Sequence, residues 1–114
     1  MPFRSPYADV EIPPGSVFDY LFADMTPTLI AQVALVDGAS GDETSYGALV
    51  AQIERFAGAL AARGVRVGDV VALHSPNVPA FATAFPGILR AGATATTTNA
   101  LYTAGEIEKQ LRDP

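Results

Sequence analysis

The residue types best suited to chemistry lie close together in one short segment, at His74, Ser75 and Asn77. They follow the apolar run Val70 to Leu73, which predicts a strand buried on both faces. Ligand sites in parallel α/β folds lie at the carboxyl ends of such strands. A Ser–His nucleophile also needs an acid partner and an oxyanion hole, and neighbouring residues of an extended segment point in different directions. We therefore interpret His74 as a half-buried structural histidine.

Glycines are a second candidate, because glycine-rich loops can cradle phosphate groups. The segment from Gly38 to Asp42 has the composition of a turn, and Gly87, Gly92 and Gly105 follow later in the chain. None of these has the spacing of G-x-x-x-x-G-K-[ST] or of G-x-G-x-x-G. We assign them to turns and helix ends, so a nucleotide-binding Rossmann domain is a distant alternative.

Polar side chains elsewhere are interpreted as structural or solvated. Four threonines fall in one short run: Thr94, Thr96, Thr97 and Thr98. They could line a polar pocket, but β-branched residues are typical of strands, and their hydroxyls can bond to the backbone. Asp9 and Glu11 are interpreted as solvated charges.

Composition excludes several classes of function. The 114 residues include 12 Asp and Glu against 7 Lys and Arg, no cysteine and one histidine. The net charge of -5 argues against nucleic-acid and anionic-membrane partners. Disulfides, thiolate metal sites and multi-histidine metal sites are excluded. The absence of a secretory leader at Met1 to Asp9, and of any long unbroken apolar run, predicts a cytoplasmic protein without a membrane span.

Hydrophobic periodicity predicts the elements that carry these residues. The clearest helix runs from Tyr46 to Arg63, because Leu49, Ile53, Phe56 and Leu60 recur on one face, and Gly64 suits its C′ position. A shorter helix is capped by Ser16 and stops before Pro27. A helix capped by Asn77 continues to Ala91, with a kink or a break at Pro86.

Strands are predicted for the remaining apolar and threonine-rich runs: Ala31 to Asp37, Glu43 to Tyr46, Val70 to Leu73, and Ala93 to Thr98. The sequence TAGE at Thr103 to Glu106 predicts a capping box for a last helix towards Pro114. The order of elements predicts an α/β fold, a βαβαβ arrangement with a mainly parallel sheet flanked by helices. Residues 1–15 contain Pro2, Pro6, Pro13 and Pro14 and predict an extended arm; residues 16–114 form the α/β part.

Four blocks of sequence occur in a recognisable order: FRSPYADVEIPPGSVFDYLF at Phe3 to Phe22, ALVDGASGDETSYGAL at Ala34 to Leu49, LAARGVRVGDVVALHSPNVPAF at Leu60 to Phe81, and GILRAGATATTTNALYTAGEIEKQL at Gly87 to Leu111. Together they resemble the N-terminal part of the large AMP-binding domain of adenylate-forming acyl- and aryl-CoA ligases, most closely the 4-coumarate–CoA ligase-like members. The pattern G-V-x-x-G-D-x-V-A, followed by P-N and then A-G, is moderately specific alone. Four ordered blocks over nearly the whole chain make the resemblance strong.

The resemblance implies a ligase reaction in two halves. A carboxylate attacks the α-phosphate of Mg-ATP to form an acyl-adenylate and pyrophosphate, and the thiol of coenzyme A then displaces AMP. The family's phosphate loop, its Tyr-Gly-x-Thr-Glu-type motif, its ribose-binding Asp, its hinge and its late catalytic Lys are absent; the single lysine is Lys109. We therefore expect a truncated N-terminal segment that is inactive alone, with no catalytic, cofactor-binding or metal-binding residue.

Two positions depart from the resemblance, and one alternative function remains open. Pro86 stands where a histidine or a bulky residue is common, and Ala100 stands where proline is frequent after asparagine. Both positions can reflect natural variation or relaxed constraint. The alternative is a free-standing interaction module without catalysis. In a full-length ligase the rest of the large domain would cover the stretch from Val70 to Leu73, together with Phe81, Phe85 and Leu101. Without that cover we expect these side chains to be exposed and to drive homo-oligomer formation.

Overall fold

A computed structural model describes residues 5–112 of the chain, so the start of the predicted arm and the end of the predicted last helix lie outside the described residues. The elements follow in the order α1 Val17–Phe22, α2 Pro27–Ala31, β1 Val33–Val36, β2 Glu43–Ser45, α3 Tyr46–Ala62, β3 Val70–His74, α4 Pro79–Arg90, β4 Thr94–Thr98 and α5 Ala104–Arg112. The α/β class is confirmed. Residues 5–15 contain no helix or strand and are exposed.

The two strands predicted on either side of the turn at Gly38 to Asp42 form an antiparallel hairpin, β1–β2, with Val36 opposite Glu43. Asp37 closes its turn: the backbone N–H of Asp37 donates to the carbonyl of Asp42 at 2.8 Å. Gly41 has a φ of 80°, which favours glycine at this point of the turn. Within the described residues this hairpin forms a sheet of its own, separate from the parallel strands.

Helix α2 was not predicted from the sequence. The hydroxyl of Thr26 accepts a hydrogen bond from the N–H of Leu29 at 3.2 Å, and Pro27 takes the first helical position. Pro27 was interpreted as the end of the preceding helix, whereas it begins a new one. Five residues are too few to show a helical period, so a capping threonine before a proline was the only sequence signal.

Helix α3 begins and ends close to where its period predicts. The hydroxyl of Ser45 accepts from the N–H of Ala48 at 3.2 Å, and Gly64 follows the helix with a φ of 93°. Leu49 and Ile53 point inwards and form a core cluster with Phe18 of α1. The core residues of α3 therefore lie on the helix face that the hydrophobic period predicts.

Helix α4 packs closely against α3. A Cβ added at Gly87 would lie 2.6 Å from Cδ1 of Phe56, so only glycine permits this approach. Ile88 beside it is almost fully buried. The hydroxyl of Thr83 donates to Oε1 of Gln52 at 3.0 Å, which adds a polar contact between the two helices.

Two expectations for α4 are wrong. The N-cap is Val78 and not Asn77, and no side chain caps the helix. A residue before proline is pushed out of the helical region, and Val78, directly before Pro79, is extended with φ -123° and ψ 161°. Of the kink or break expected at Pro86, the break is absent, because one continuous helix runs from Pro79 to Arg90.

Strands β3 and β4 pair in parallel, as predicted, with Val70 opposite Thr94 and His74 opposite Thr98. The expectation that β3 is buried on both faces is wrong. Its burial alternates, and Val70 is 49% exposed. Helix α4 contacts both strands, whereas the opposite face is left largely open within the described residues. Each strand of this pair therefore has one unpaired edge in the part of the chain described.

Helix α5 confirms half of the predicted capping box. The carboxylate of Glu106 accepts from both the backbone N–H and the hydroxyl of Thr103, each at 2.8 Å. The side-chain amide of Gln110 donates to the carbonyl of Thr97 at 2.8 Å and joins α5 to β4.

The described part of the chain is open in shape. Its radius of gyration is 17.2 Å, whereas a compact chain of this length has about 13 Å. In the same residues, no helix combines the length and apolar character required to span a bilayer.

Exposed apolar side chains are common, and Leu101 is among the most exposed. The prediction that Phe81 and Phe85 are exposed is wrong, because both residues are half-buried.

Candidate functional site

His74 lies at the carboxyl end of β3, where it reaches across to β4. Its Nδ1 is 2.8 Å from the hydroxyl oxygen of Thr98, its partner residue in the parallel register. Thr98 is only 5% exposed, whereas His74 as a residue is exposed, so its predicted half-burial is wrong. The bond ties the ends of the two strands together.

The structure does not bring the other members of a nucleophilic triad to His74. The hydroxyl of Ser75 donates to the carbonyl of Pro76 at 3.0 Å, not to the imidazole. Among residues 5–112, no carboxylate makes a hydrogen bond to His74. A nucleophile needs its base within hydrogen-bond reach and an acid to orient that base. The arrangement shown here therefore does not activate Ser75.

A cleft of about 680 Å³ opens at this carboxyl edge, between the segments that follow β3 and β4. Its lining includes Asn77, Phe81, Asn99 and Tyr102, and no charged side chain belongs to it. The sequence did not predict that Phe81, Asn99 and Tyr102 line one cleft with Ser75 and Asn77. The one available signal was the position of Asn99 directly after β4, since carboxyl ends of parallel strands meet at one edge.

The uncharged lining determines what the cleft can bind. Triphosphate and Mg²⁺ together require cationic side chains, backbone amides aimed at the ligand, and carboxylate ligands for the metal. Across residues 5–112 there is also no group of three His, Asp or Glu side chains that could hold a metal ion. These residues therefore do not fit a nucleotide–metal complex.

The glycine-containing turn is equally unsuited to phosphate. The carboxylate of Asp37 accepts hydrogen bonds from the N–H groups of Ala39 at 2.8 Å and Ser40 at 3.3 Å. A phosphate loop must leave such amides free for its ligand. The turn uses them to stabilise itself.

The threonines of β4 form strand structure, as the sequence predicts. The hydroxyl of Thr96 accepts from the side-chain amide of Gln110 at 3.3 Å, and Thr98 is bonded to His74. These bonds go to side chains, whereas the sequence suggested the backbone. Asp9 and Glu11, predicted to be solvated, are exposed.

Glu106 is the one residue in the described part of the chain whose pKa clearly departs from its ordinary value. The backbone N–H of Thr103 and then its hydroxyl hold the pKa of the Glu106 carboxyl below its ordinary value. Glu106 and Lys109 lie beside Tyr102 in a second, smaller cleft. Because the carboxylate is engaged in helix capping, its position indicates a structural role.

Comparison with known proteins identifies the family. Residues 23–114 match the family described as AMP-binding enzyme. The chain belongs to this family. The AMP-binding match spans every element from α2 to α5, including the hairpin and both parallel strands.

Relatives in the AMP-binding family are CoA ligases of much greater length. The chain is 39% identical over 110 residues to 4-coumarate–CoA ligase 5 of Oryza sativa subsp. japonica, which covers 96% of this chain and 20% of the relative. It is 32% identical over 111 residues to peroxisomal OPC-8:0-CoA ligase 1 of Arabidopsis thaliana, covering 97% of this chain and 20% of that protein. The chain thus spans about a fifth of the length of these relatives.

A solved AMP-binding structure shows the same fold. The structure of ATP-bound MatB from Rhodopseudomonas palustris superimposes with a TM-score of 0.76 at 32% identity. It covers 84% of this chain and 18% of MatB. The fold described above is therefore the fold of the corresponding part of this longer, ATP-bound protein.

Proposed function

We propose that the chain is the N-terminal scaffold segment of a 4-coumarate–CoA ligase-like acyl/aryl-CoA ligase, an acid–thiol ligase. The parent reaction joins a carboxylate to coenzyme A with cleavage of ATP to AMP and pyrophosphate. The observation that carries the proposal is the family match over residues 23–114, with the relatives named as CoA ligases. In this proposal residues 1–15 are an arm and residues 16–114 the truncated α/β subdomain.

The uncharged cleft supports a scaffold role and not a catalytic one. Phosphate charge must be met by cations and oriented donors, and the cleft at the carboxyl edge has no charged lining. We assign ATP, Mg²⁺ and coenzyme A to parts of the ligase beyond these 114 residues. The carboxylic acid is a partner of the full ligase and not of this chain alone.

Location in the cell follows the same proposal. We place the chain in the cytoplasm, and its composition without cysteine supports this, because it requires no oxidising compartment. One relative carries the word peroxisomal in its name. Microscopy of the chain with a fluorescent fusion at either end tests the cytoplasmic placement, and a punctate organellar signal would contradict it.

ATP–pyrophosphate exchange tests whether the chain alone is inactive. The purified chain is incubated with Mg-ATP, labelled pyrophosphate and 4-coumarate, benzoate or anthranilate in turn. We expect exchange no faster than in buffer, because the cleft has no group to meet the phosphate charge. Exchange at the rate of an authentic ligase would overturn the inactive scaffold.

A chimera tests the scaffold role directly. Residues 1–114 replace the matching fifth of 4-coumarate–CoA ligase 5 from rice, and thioester formation is measured. We expect an active chimera. Gly87→Leu in the same chimera is the matched control, because added atoms at this position meet Phe56 and disturb the α3–α4 contact. A well-folded chimera without activity would contradict the scaffold role.

We further propose that the isolated chain forms a homo-oligomer through exposed apolar surface. Large apolar side chains that are exposed include Tyr7, Val10, Ile12, Val70 and Leu101. Contiguous exposed apolar surface commonly marks an interaction site. Light scattering measures the mass directly, and a single 11.9 kDa species at every concentration would contradict self-association.

A further inference from the structure

The edge of β3 that faces away from β4 is defined by the hydrogen bonds of the parallel pair. The N–H of Thr94 donates to the carbonyl of Asp69 at 2.8 Å, in a register that places Val70 opposite Thr94. Successive residues of a strand direct their backbone groups to opposite sides, so alternate residues beginning with Asp69 face β4. The N–H and C=O groups of Val70, Ala72 and His74 therefore face the outer edge of β3.

These outward backbone groups of β3 are unpaired within residues 5–112. The pair β3–β4 is a two-stranded sheet there, and no loop or turn of that part of the chain donates to these groups or accepts from them. The side chains of the same three residues are exposed, which leaves the edge accessible. The run Val70–His74 also contains no Lys, Arg, Asp, Glu or Pro. Charged residues and proline are what natural proteins place on strand edges to prevent pairing.

The other strand edges in the described residues are protected. On β4 the same alternation directs the carbonyl of Thr97 outwards, where it accepts from the side-chain amide of Gln110 at 2.8 Å. Strands β1 and β2 have only four and three residues, and their register shifts between Val33 and Leu35. Short edge strands and irregular register are two ways in which proteins prevent edge pairing. Among residues 5–112, the outer edge of β3 is therefore the edge best suited to pairing.

We infer that the outer edge of β3 pairs with the same edge of a second copy, antiparallel about a two-fold axis at Ala72. Ala72 then lies opposite Ala72 of the second copy, and Val70 lies opposite His74. In an antiparallel pair such opposite residues exchange both N–H···O=C bonds, so every outward group of the three residues is used. A two-fold contact between identical edges closes at two copies. The inference rests on the proposed self-association and names its surface.

The charge nearest to this edge is compatible with the antiparallel register. Asp69 directly precedes the strand, and its carboxylate accepts from the backbone N–H of Arg66 at 2.7 Å in its own loop. The register places Asp69 opposite Ser75 of the second copy. The two Asp69 residues are then six positions apart along the paired strands, or about 20 Å. Because that separation exceeds the screening length of about 8 Å at physiological salt, the two carboxylates repel each other little.

Sedimentation velocity of the full 114-residue chain tests the pairing through charges placed at its centre. We expect a reversible dimer with a Kd on the order of 10–100 µM, because backbone hydrogen bonds and little apolar surface support it. Ala72→Lys and Ala72→Glu should each weaken the dimer at least about tenfold, since like charges then lie directly opposite each other. An equimolar mixture of the two variants should restore it, because the opposed charges are then complementary. Val67→Lys, at a valine that is 87% exposed outside the strand, is the matched control and should leave the dimer unchanged.

Amide hydrogen exchange tests the backbone pairing without any substitution. Exchange at Val70, Ala72 and His74 should slow as the protein concentration rises through the Kd, because their N–H groups become hydrogen-bonded in the dimer. Ala95 is the internal control, since its N–H faces the outer edge of β4 and should exchange at the same rate at every concentration.

The outcomes separate the pairing of β3 from self-association in general. A dimer that is unaffected by either charge at Ala72 would overturn the pairing while leaving self-association intact. A dimer that both variants weaken and their mixture does not restore would overturn the two-fold register. A monomer at all concentrations would overturn both the pairing and self-association. Protection of the three β3 amides in a monomer would show that a segment of the same copy covers the edge, and would overturn pairing between copies.

Discussion

Glu106 and Thr103 form a small capping unit whose strength depends on ionisation. The folded state lowers the pKa of Glu106, so folding favours the carboxylate over the acid. The stabilisation of the folded state by the ionised Glu106 carboxyl is therefore complete above the ordinary glutamate pKa of about 4.3. It is lost as the pH falls through the lower pKa of the folded state. We expect α5 to fray first on acidification.

Carbon NMR of the Glu106 carboxyl, with amide exchange along α5, measures this effect. Glu106→Ala should leave α5 more frayed at neutral pH and remove this contribution to its pH dependence, because it removes the acceptor oxygen that Thr103 uses. Glu54→Gln, at an exposed position of α3, should leave α5 unchanged. A Glu106 midpoint at or above the ordinary value would contradict the capping role.

Gly87 and Gly58 are both helical glycines in very different surroundings. An added Cβ at Gly87 would lie 2.6 Å from Phe56, whereas at Gly58 it would meet nothing within 4 Å. We expect Gly87→Ala to lower the free energy of unfolding by about 1–3 kcal/mol through overpacking. Gly58→Ala should raise it by about 0.5–1 kcal/mol, because alanine loses less backbone entropy in a helix. Urea unfolding measures both, and equal effects would contradict the packing argument.

Pro86 interrupts the hydrogen bonding of α4 without ending the helix. A proline inside a helix costs about 3 kcal/mol relative to alanine. Burial of part of the Pro86 ring offsets some of that cost. Proline also lowers the conformational entropy of the unfolded chain, which offsets a further part. We expect Pro86→Ala to stabilise the chain by about 1 kcal/mol, or about 4 °C in Tm. Pro79→Ala is the control, since Pro79 occupies the first turn, where its missing N–H breaks no helical bond. A Pro86→Ala variant that melts no higher than the unaltered chain would contradict this.

Elements with a long period or a clear turn were predictable, and those set by local proline geometry were not. The stripe Leu49, Ile53 and Phe56 located α3, because seventeen residues carry enough period to be unambiguous. Helix α2 has five residues and shows none. The start of α4 depends on Val78 preceding a proline, which overrides the ordinary preference for Asn77 as a cap.

The candidate site shows the same limit. Sequence placed His74 at the end of a strand, but its bond to Thr98 depends on the register between β3 and β4, which no local pattern fixes. Asn99 and Tyr102 join the cleft for the same reason. The resemblance identified the family because it rests on the order and composition of sequence blocks over the whole chain. Neither of these depends on the register between β3 and β4.

On the scale of the molecule, the open face of β3 is the main departure from a closed α/β fold. Val70 is 49% exposed there, whereas Leu73 is half-buried. We expect Val70→Lys to change the free energy of unfolding by less than about 1 kcal/mol and to reduce binding of an apolar dye. Leu73→Lys should unfold the chain, because it buries a charge without a partner. Equal loss of stability in both variants would show that the face is covered in solution.

Gln110 has a consequence for how the chain survives at high concentration. The segment Thr94–Thr98 has no charge and no proline, which is the kind of strand edge on which chains add to one another and grow into fibres. By holding the Thr97 carbonyl, Gln110 takes up a group that an incoming strand would use. We therefore expect this single amide on α5 to slow fibre growth when the purified protein is stored at high concentration.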